Sequence, residues 1–229
     1  MFPALVCGNA VILKPSEDVP HTSHRLVELL LEAGLPPEVI QLVHGRGASA
    51  GKALVEHPDV PVISFTGSTA TGSFIGETCG RMHKRLSLEM GGKNAQIVMD
   101  DADLDLALEG VLWGAFGTTG QRCTASRRVF APKDRLEALL RATQKRLEAL
   151  RLGDPREEGV DLGPLASLEQ KAEVEKAVAA LLEAGARVYW RHPGREDGAF
   201  FPPTLLLAED PWPGALHQVE PFGPVATFF

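Results

Sequence analysis

Short apolar runs alternate with amphipathic segments from the N-terminus to about Gly92, and this pattern predicts alternating strands and helices. The runs NAVIL, VIQLVHG, PVISFTG and RLSLEMGG are rich in β-branched residues and predict strands. Residues 22–33 predict a helix that Gly34 ends, with one apolar face formed by Leu26, Leu29, Leu30 and Ala33. The segments ASAGKALVEH and STATGSFIGETC predict two more helices. Strands separated by single helices favour a parallel sheet, because parallel neighbours need crossover connections.

Beyond Gly92 the pattern becomes less regular. Strands are predicted at AQIVM, RRVFA, RVYW and PTLLL. Helices are predicted over residues 104–116, over a long segment with leucines at helical spacing from Leu136 to Leu150, and over residues 168–184. We therefore expect an α/β protein with a domain boundary near Gly91 and Gly92, which gives one domain of residues 1–91 and a second of residues 92–229.

Composition and charge narrow the classes of function. The chain of 229 residues has 23 basic and 30 acidic residues, and the resulting net charge of −7 argues against a nucleic-acid surface. It has no long apolar run and no leader of the secretory type, so we expect no membrane segment and a cytoplasmic location. The three cysteines, Cys7, Cys79 and Cys123, are widely spaced and predict neither a disulfide scaffold nor a metal site.

Polar or glycine-rich segments follow the first three predicted strands, where ligands gather in parallel sheets. Lys14 and Glu17 in KPSE could donate to and accept from ribose hydroxyls, or could form a surface pair flanking Pro15. GRGASAG is one residue longer than a dinucleotide-binding fingerprint and is also typical of a tight turn. GSTATG places Ser68 and free backbone N–H groups at a helix N-terminus, which suits either a phosphate or an ordinary helix cap.

Two side chains are candidates for covalent chemistry. Cys123 lies in GTTGQRCTASRR, where Arg122 and Arg127 supply positive charge and nearby glycines allow backbone N–H groups to approach an oxyanion. The alternative is a buried structural cysteine, which we expect for Cys7 and Cys79. Glu89 ends an apolar strand, and partial burial there would suit a general base; the alternative is a strand end held by a salt bridge.

The ordered motifs KPSE, FTGSTATG, LSLEMGGKN, GQRCT and EPFGPV resemble those of the aldehyde dehydrogenase superfamily, from near Phe2 to Phe229. The resemblance implies an aldehyde dehydrogenase-like α/β fold. Residues 1–91 would form the C-terminal part of a Rossmann-type NAD-binding domain, and residues 92–229 the N-terminal part of the catalytic domain. It also implies a small aldehyde substrate and, in the family, a homo-oligomer.

The resemblance assigns a role to each candidate residue. Cys123 would add to the aldehyde to give a thiohemiacetal and then a thioester, and Glu89 would activate the water that hydrolyses the thioester. The residues implied to bind the cofactor are Lys14, Glu17, Gly67, Ser68, Glu220 and Phe222. Because Glu17 would repel a 2′-phosphate, NAD is expected and NADP remains possible. No metal is implied.

Arg122 is less usual beside the cysteine of this family, in which many members carry an uncharged residue there. GTTGQRCTASRR is most similar to the antiquitin branch, the α-aminoadipic semialdehyde dehydrogenases. In that branch the corresponding arginine helps to hold the carboxylate at the far end of the substrate. The resemblance therefore implies that Arg122 binds substrate.

The chain is about half as long as members of this family and has no Trp-Asn-Phe-Pro segment, whose asparagine contributes to the oxyanion site. The sequence therefore resembles an internal fragment, with weak or no dehydrogenase activity expected of these residues alone. Two alternatives follow from this departure. One is a truncated, inactive fragment, and the other is a thiol esterase that uses Cys123 and Glu89 without a cofactor.

Overall fold

The computed structural model covers residues 1–229, and the chain divides between Met90 and Gly91 into two units. The first unit contains, in order, α1 (Phe2–Val6), β1 (Val11–Leu13), α2 (Pro20–Glu32), a 3-10 turn (Pro37–Val39), β2 (Ile40–Leu42), a π-helical turn (Gly47–Gly51), α3 (Lys52–Glu56), β3 (Val62–Gly67), α4 (Thr69–Arg81) and β4 (Arg85–Met90). Each predicted strand and helix of this segment is present, and α1 is an element that the sequence pattern did not predict.

Strands of the first unit are parallel, but they form two separate pairs. β1 pairs with β2, and β3 pairs with β4, with no strand hydrogen-bonded between the pairs. The predicted apolar face of α2 is wrong in part, because Leu26 and Leu29 are exposed and Val27 is the buried residue of this helix. A two-stranded sheet of three-residue strands offers too little surface to cover a whole helix face.

The core of the first unit lies between α4 and the β3–β4 pair. Ile75 and Cys79 of α4 pack with Val55 and with apolar side chains of the two strands. Cys79 is 1% exposed and serves as a core residue, as expected. The same expectation is wrong for Cys7, which is exposed directly after α1.

The second unit is built on a five-stranded sheet. Its elements are β5 (Asn94–Ile97), α5 (Leu104–Val111), a π-helical turn (Leu112–Phe116), a 3-10 turn (Gly117–Gly120), β6 (Ser126–Phe130), α6 (Lys133–Glu148), α7 (Leu168–Glu183), β7 (Ala186–Arg191), β8 (Thr204–Ala208), α8 (Ala215–Gln218) and β9 (Val225–Phe228). The strand order is β5-β6-β9-β8-β7, and only β7 is antiparallel to its neighbour. β9, which the pattern did not predict, lies in the centre of the sheet.

Two apolar clusters cover this sheet. α5 and α6 pack with Val129, Leu205 and Phe228 in one cluster, and α7 packs with Leu206 and Val225 in the other. Leu205 and Leu206 are both buried and belong to different clusters, as expected for neighbouring residues of a strand covered on both faces. The sheet therefore holds the loops at its strand ends on a rigid support.

No helix is long and apolar enough to cross a lipid bilayer. The structure also shows no group of three His, Cys, Asp or Glu side chains placed to hold a metal ion.

Candidate active site

The loop that carries Cys123 begins with an unusual backbone reversal. Thr118 and Thr119 have φ values of 54° and 55°, and Gly120 follows with φ 66°. Three consecutive left-handed residues are uncommon, and each non-glycine residue in this region costs about 1–3 kcal/mol. The amide of Gln121 donates to the carbonyl of Thr118 at 3.1 Å and closes the turn.

Cys123 is exposed, so the alternative of a buried structural cysteine is wrong. Its main chain is fixed by Asn94, whose Nδ2 donates to the carbonyl of Cys123 at 2.6 Å and to that of Ala125 at 3.3 Å. The N–H groups of Cys123 and Thr124 donate to no acceptor in the protein. An anchored backbone with free N–H groups beside a thiol suits stabilisation of an oxyanion. The anchoring role of Asn94 was not predicted, although LSLEMGGKN contains the residue.

Arg127 connects this loop to the loop that carries Glu220. It is 1% exposed, and Nη2 donates to the carbonyls of Gly120 at 2.5 Å and Arg122 at 3.3 Å, while Nη1 donates to that of Gly223 at 2.8 Å. Burial lowers the pKa of Arg127 to about 10. From the sequence, Arg127 was expected only to supply positive charge near the thiol. In the structure Arg127 instead fixes the backbones of the two loops, because a planar guanidinium can hold several carbonyls in fixed directions.

Arg122 contacts Trp113 of the preceding π-helical turn. Its Nη2 donates to the Trp113 carbonyl at 2.6 Å, and its guanidinium lies 4.9 Å from the centre of the indole ring. Trp113 is 67% exposed. The side chain next to Cys123 is therefore a cation stacked on an exposed aromatic ring.

Glu220 and Phe222 lie on the loop before β9. The Glu220 Oε1 atom is 4.0 Å from Nε of Arg127, and the Phe222 ring centre is 5.6 Å from the Arg127 guanidinium. Gln170 of α7 donates to the Phe222 carbonyl at 3.0 Å. Burial raises the pKa of Glu220, and Arg127 opposes this change. Between this loop and α7 lies a recess of about 290 Å³ lined by Gln170, Glu173, Lys176, Ala177, Ala180, Val219, Glu220 and Phe222.

Lys93 is a buried cation at the start of β5. Its side chain is 9% exposed, and Nζ has no hydrogen-bond partner. Its pKa is lowered from 10.5 to about 8, mainly by burial and also by the charges of Arg128 and Arg127, while Glu220 opposes this change. This burial was not predicted, because a lysine that follows two glycines in the sequence gives no sign of it.

Replacing Lys93 by methionine is expected to stabilise the second unit by about 1–3 kcal/mol at pH 7, because an unpaired buried ammonium is removed. A lysine with a lowered folded pKa destabilises the fold fully below about pH 8, and this cost disappears as pH rises towards the unfolded value of 10.5. The gain measured by urea unfolding should therefore be largest at pH 7 and small at pH 10. An equal gain at both pH values would contradict the assigned burial of the charge.

Lys14 and Glu17 lie together at the end of β1. Lys14 Nζ donates to the carbonyls of Pro15 at 2.6 Å and Gly45 at 3.0 Å, and it lies 3.8 Å from Oε2 of Glu17. The backbone N–H of Glu17 lowers the pKa of its carboxyl, and Lys14 contributes in the same direction. The Lys14 side chain is only 17% exposed, so this is more than a surface pair, and it brings KPSE against the GRGASAG turn.

Ser68 is the N-cap of α4. Its Oγ accepts from the Thr71 amide at 3.2 Å, so the helix start is capped by the protein itself. Gly67 is the last residue of β3 and Glu89 is the last but one of β4, so both lie at the carboxyl end of this strand pair. Glu89 is exposed, and the partial burial expected for it is absent in this structure.

The candidate residues thus fall into three groups. Cys123, Arg122, Glu220 and Phe222 are joined in the second unit through Arg127. Lys14 and Glu17 form a pair in the first unit. Gly67, Ser68 and Glu89 lie at the carboxyl end of the β3–β4 pair. The fold and these groups define an α/β protein with an exposed thiol on an anchored loop and polar groups at the carboxyl ends of parallel strands.

The sequence model of the aldehyde dehydrogenase family matches residues 1–229, and the chain belongs to this family. Curated relatives from Staphylococcus haemolyticus and Staphylococcus aureus strain MSSA476, named provisionally as aldehyde dehydrogenases, are 38% and 39% identical to it over 228 residues. These matches cover 98% of this chain and 48% of each relative. The chain therefore spans about half the length of the curated relatives it matches.

Solved structures agree with the fold. The betaine aldehyde dehydrogenase of Staphylococcus aureus in complex with NAD+ is 32% identical, with a TM-score of 0.92, over 99% of this chain and 46% of that one. PnpE in complex with nicotinamide adenine dinucleotide is 38% identical, with a TM-score of 0.93, over 99% and 47%. An E. coli enzyme described as NADP dependent is 38% identical, with a TM-score of 0.92, over 99% and 47%. The similarity to the antiquitin branch is not reproduced among these neighbours.

Proposed function

We propose that this chain carries the nucleophile and the cofactor-binding residues of an NAD(P)-dependent aldehyde dehydrogenase, which oxidises an aldehyde to a carboxylate. The observation that supports this proposal most is the exposed Cys123 on a backbone held at 2.6 Å by Asn94, with unpaired N–H groups at Cys123 and Thr124. Membership of the family supports the same chemistry.

The polar groups of the chain fit a dinucleotide. Lys14 and Glu17 offer a donor and an acceptor at a strand end, as a ribose diol requires. The N-terminus of α4 follows β3 directly and carries no acidic residue in its first turn, which suits a pyrophosphate. Glu220 lines the recess beside α7, where its carboxylate could accept from a second ribose. When bound, NAD supplies the hydride acceptor, and the negative charge of Glu17 favours it over NADP.

The chain's own residues supply the covalent steps. Cys123 Sγ, after losing its proton to solvent, adds to the aldehyde carbon, and the N–H groups of Cys123 and Thr124 donate to the resulting oxyanion. Oxidation of the thiohemiacetal carbon leaves a thioester on Cys123. Glu89 takes a proton from water, the water oxygen adds to the thioester carbon, and the Cys123 thiolate leaves.

The proposal is tested by mixing the purified chain with an aldehyde and NAD and following reduced nicotinamide by its absorbance. Weak aldehyde-dependent reduction is the expected result for these residues alone, and an acyl group on Cys123 should be detected by mass spectrometry of the quenched reaction. Hydrolysis of an activated ester that is unaffected by removal of NAD, without any aldehyde oxidation, would instead indicate a cofactor-independent thiol esterase.

We also propose that the substrate carries a carboxylate at its far end, as in semialdehyde acids. Arg122 lies next to Cys123 and already covers the Trp113 ring, so that face is not free for a cationic substrate such as a quaternary ammonium. Of its donors, Nη2 is committed to Trp113, and the guanidinium charge remains available to an anion.

Replacing Arg122 by alanine should reduce kcat/KM for a semialdehyde acid by about 10- to 100-fold, since a charge-assisted hydrogen bond contributes about 1.5–3 kcal/mol. The value for an alkyl aldehyde of equal length should change little. Both are measured by steady-state kinetics, with Arg156→Ala, an exposed arginine bonded only to Asp154, as the control. An unchanged ratio of the two kcat/KM values would exclude a role for Arg122 in selecting the substrate.

A further inference from the structure

Lys93 places an unpaired positive charge in the interior of the second unit. A buried ammonium without a partner costs several kcal/mol unless nearby groups compensate for it. Five further buried side-chain atoms of this unit also lack hydrogen-bond partners: Arg122 Nε, Arg127 Nε, Arg128 Nε, Glu220 Oε1 and Thr227 Oγ1. Glu220 is the one acid among them, so the positive groups are in excess.

The segment that contains Lys93 runs along the carboxylate of Glu220. The Gly91 backbone lies against Glu220 Oε2 so closely that a Cβ there would overlap this oxygen. The next residue, Gly92, faces the same carboxylate with its N–H, which helps to lower the pKa of Glu220. Lys93 follows directly, and its charge and that of Glu220 act on each other. The short segment before β5 thus packs against the Glu220 side chain.

Arg127 alone does not satisfy this carboxylate. Both of its terminal nitrogens donate to backbone carbonyls, and its Nε is 4.0 Å from Glu220 Oε1, which is beyond hydrogen-bond distance. Arg128 is directed elsewhere, since its Nη1 lies 3.1 Å from Nδ1 of His217. Lys93 is the remaining flexible cation whose ammonium has no other partner.

We propose that Lys93 is a positioning residue for Glu220: together with Arg127 it keeps the Glu220 carboxylate ionised and directed towards the recess beside α7, where it can accept hydrogen bonds from a vicinal diol. The proposal rests on the proposed function in one respect, namely that this diol is a ribose of the cofactor. The other charged groups that line the recess are Glu173 and Lys176 of α7, and both are exposed.

The coupling can be measured without any ligand. Carboxyl carbons and lysine Nζ atoms of the isotope-labelled chain are titrated by NMR in the wild type and in Lys93→Met, Glu220→Gln and Lys145→Met, the last being an exposed lysine that serves as the control. Lys93→Met is expected to raise the pKa of Glu220 by about one unit, because a nearby positive charge is lost. Glu220→Gln is expected to lower the pKa of Lys93 reciprocally. Lys145→Met should change neither value.

Unchanged pKa values of Glu220 in Lys93→Met and of Lys93 in Glu220→Gln would overturn the proposal. If Lys93→Met does not fold, the Glu220→Gln titration decides, because glutamine preserves the shape of the half-buried side chain.

The functional consequence is tested by calorimetry with NAD across pH. In Lys93→Met the loss of affinity on acidification should begin about one pH unit higher. Absence of NAD binding to the wild type at every pH would refute the proposed function, whereas the titration would still decide the role of Lys93.

Discussion

Replacing Cys123 by alanine is expected to lower aldehyde oxidation by at least about 10⁴-fold, because the thiohemiacetal of the reaction forms on this thiol. The rate is measured by reduction of NAD, and the covalent adduct by mass spectrometry after reaction with an activated ester. Both signals should disappear, while the far-UV circular dichroism spectrum stays the same, since the exposed side chain makes little contribution to packing.

Cys7→Ala is the matched control, because Cys7 is also an exposed free cysteine but lies after α1 in the first unit. It should retain full activity and the acyl adduct. If Cys123→Ala retained substantial oxidation, or if the adduct were found on Cys7, the assignment of the nucleophile would be wrong.

Replacing Gly120 by alanine should lower the free energy of unfolding of the second unit by about 4 kcal/mol. Gly120 has φ 66°, and a Cβ at this position would overlap the backbone carbonyl of Gly223. Neither backbone can move freely, because Arg127 donates to the carbonyls of both residues. Urea unfolding followed by tryptophan fluorescence measures the change, since Trp113, Trp190 and Trp212 all lie in the second unit.

Gly185→Ala separates the strain of a positive φ from the steric overlap with the Gly223 carbonyl. Gly185 has φ 100°, but nothing lies within 4 Å of a Cβ placed there. This control carries only the backbone strain and should cost about 1–2 kcal/mol. Equal losses in the two variants would mean that the close approach of Gly120 to Gly223 does not contribute to stability.

The elements whose periodicity is sustained were predicted well. The long helix α6 and the helix α7 carry apolar residues at helical spacing over many turns, and both are present. The predicted helix over residues 104–116 was too long as an α-helix, since α5 ends at Val111 and a π-helical turn follows. The strand β9 was missed because a short apolar run does not distinguish a central strand from a buried loop.

For the candidate site, the sequence indicated residue types, and the structure defined what each one contacts. The backbone around Cys123 decides that its thiol is exposed and that Arg122 stacks on Trp113. The backbone before α4 decides that Ser68 accepts from the Thr71 amide. Arg127 and Lys93 were misjudged or missed for one shared reason. Charged residues are usually solvated, and only the folded chain shows that these two are buried.

The sequence by itself determined the alternation of helices and strands, the family and the side chains that can carry the chemistry, because these depend on local periodicity and on ordered motifs. Only the tertiary structure decided that Gly120 approaches Gly223, that Asn94 fixes Cys123, and that Arg127 lies beside Glu220. These contacts join segments far apart along the chain. They arise because the sheet of the second unit brings the ends of β5, β6 and β9 together, and no local pattern encodes that arrangement.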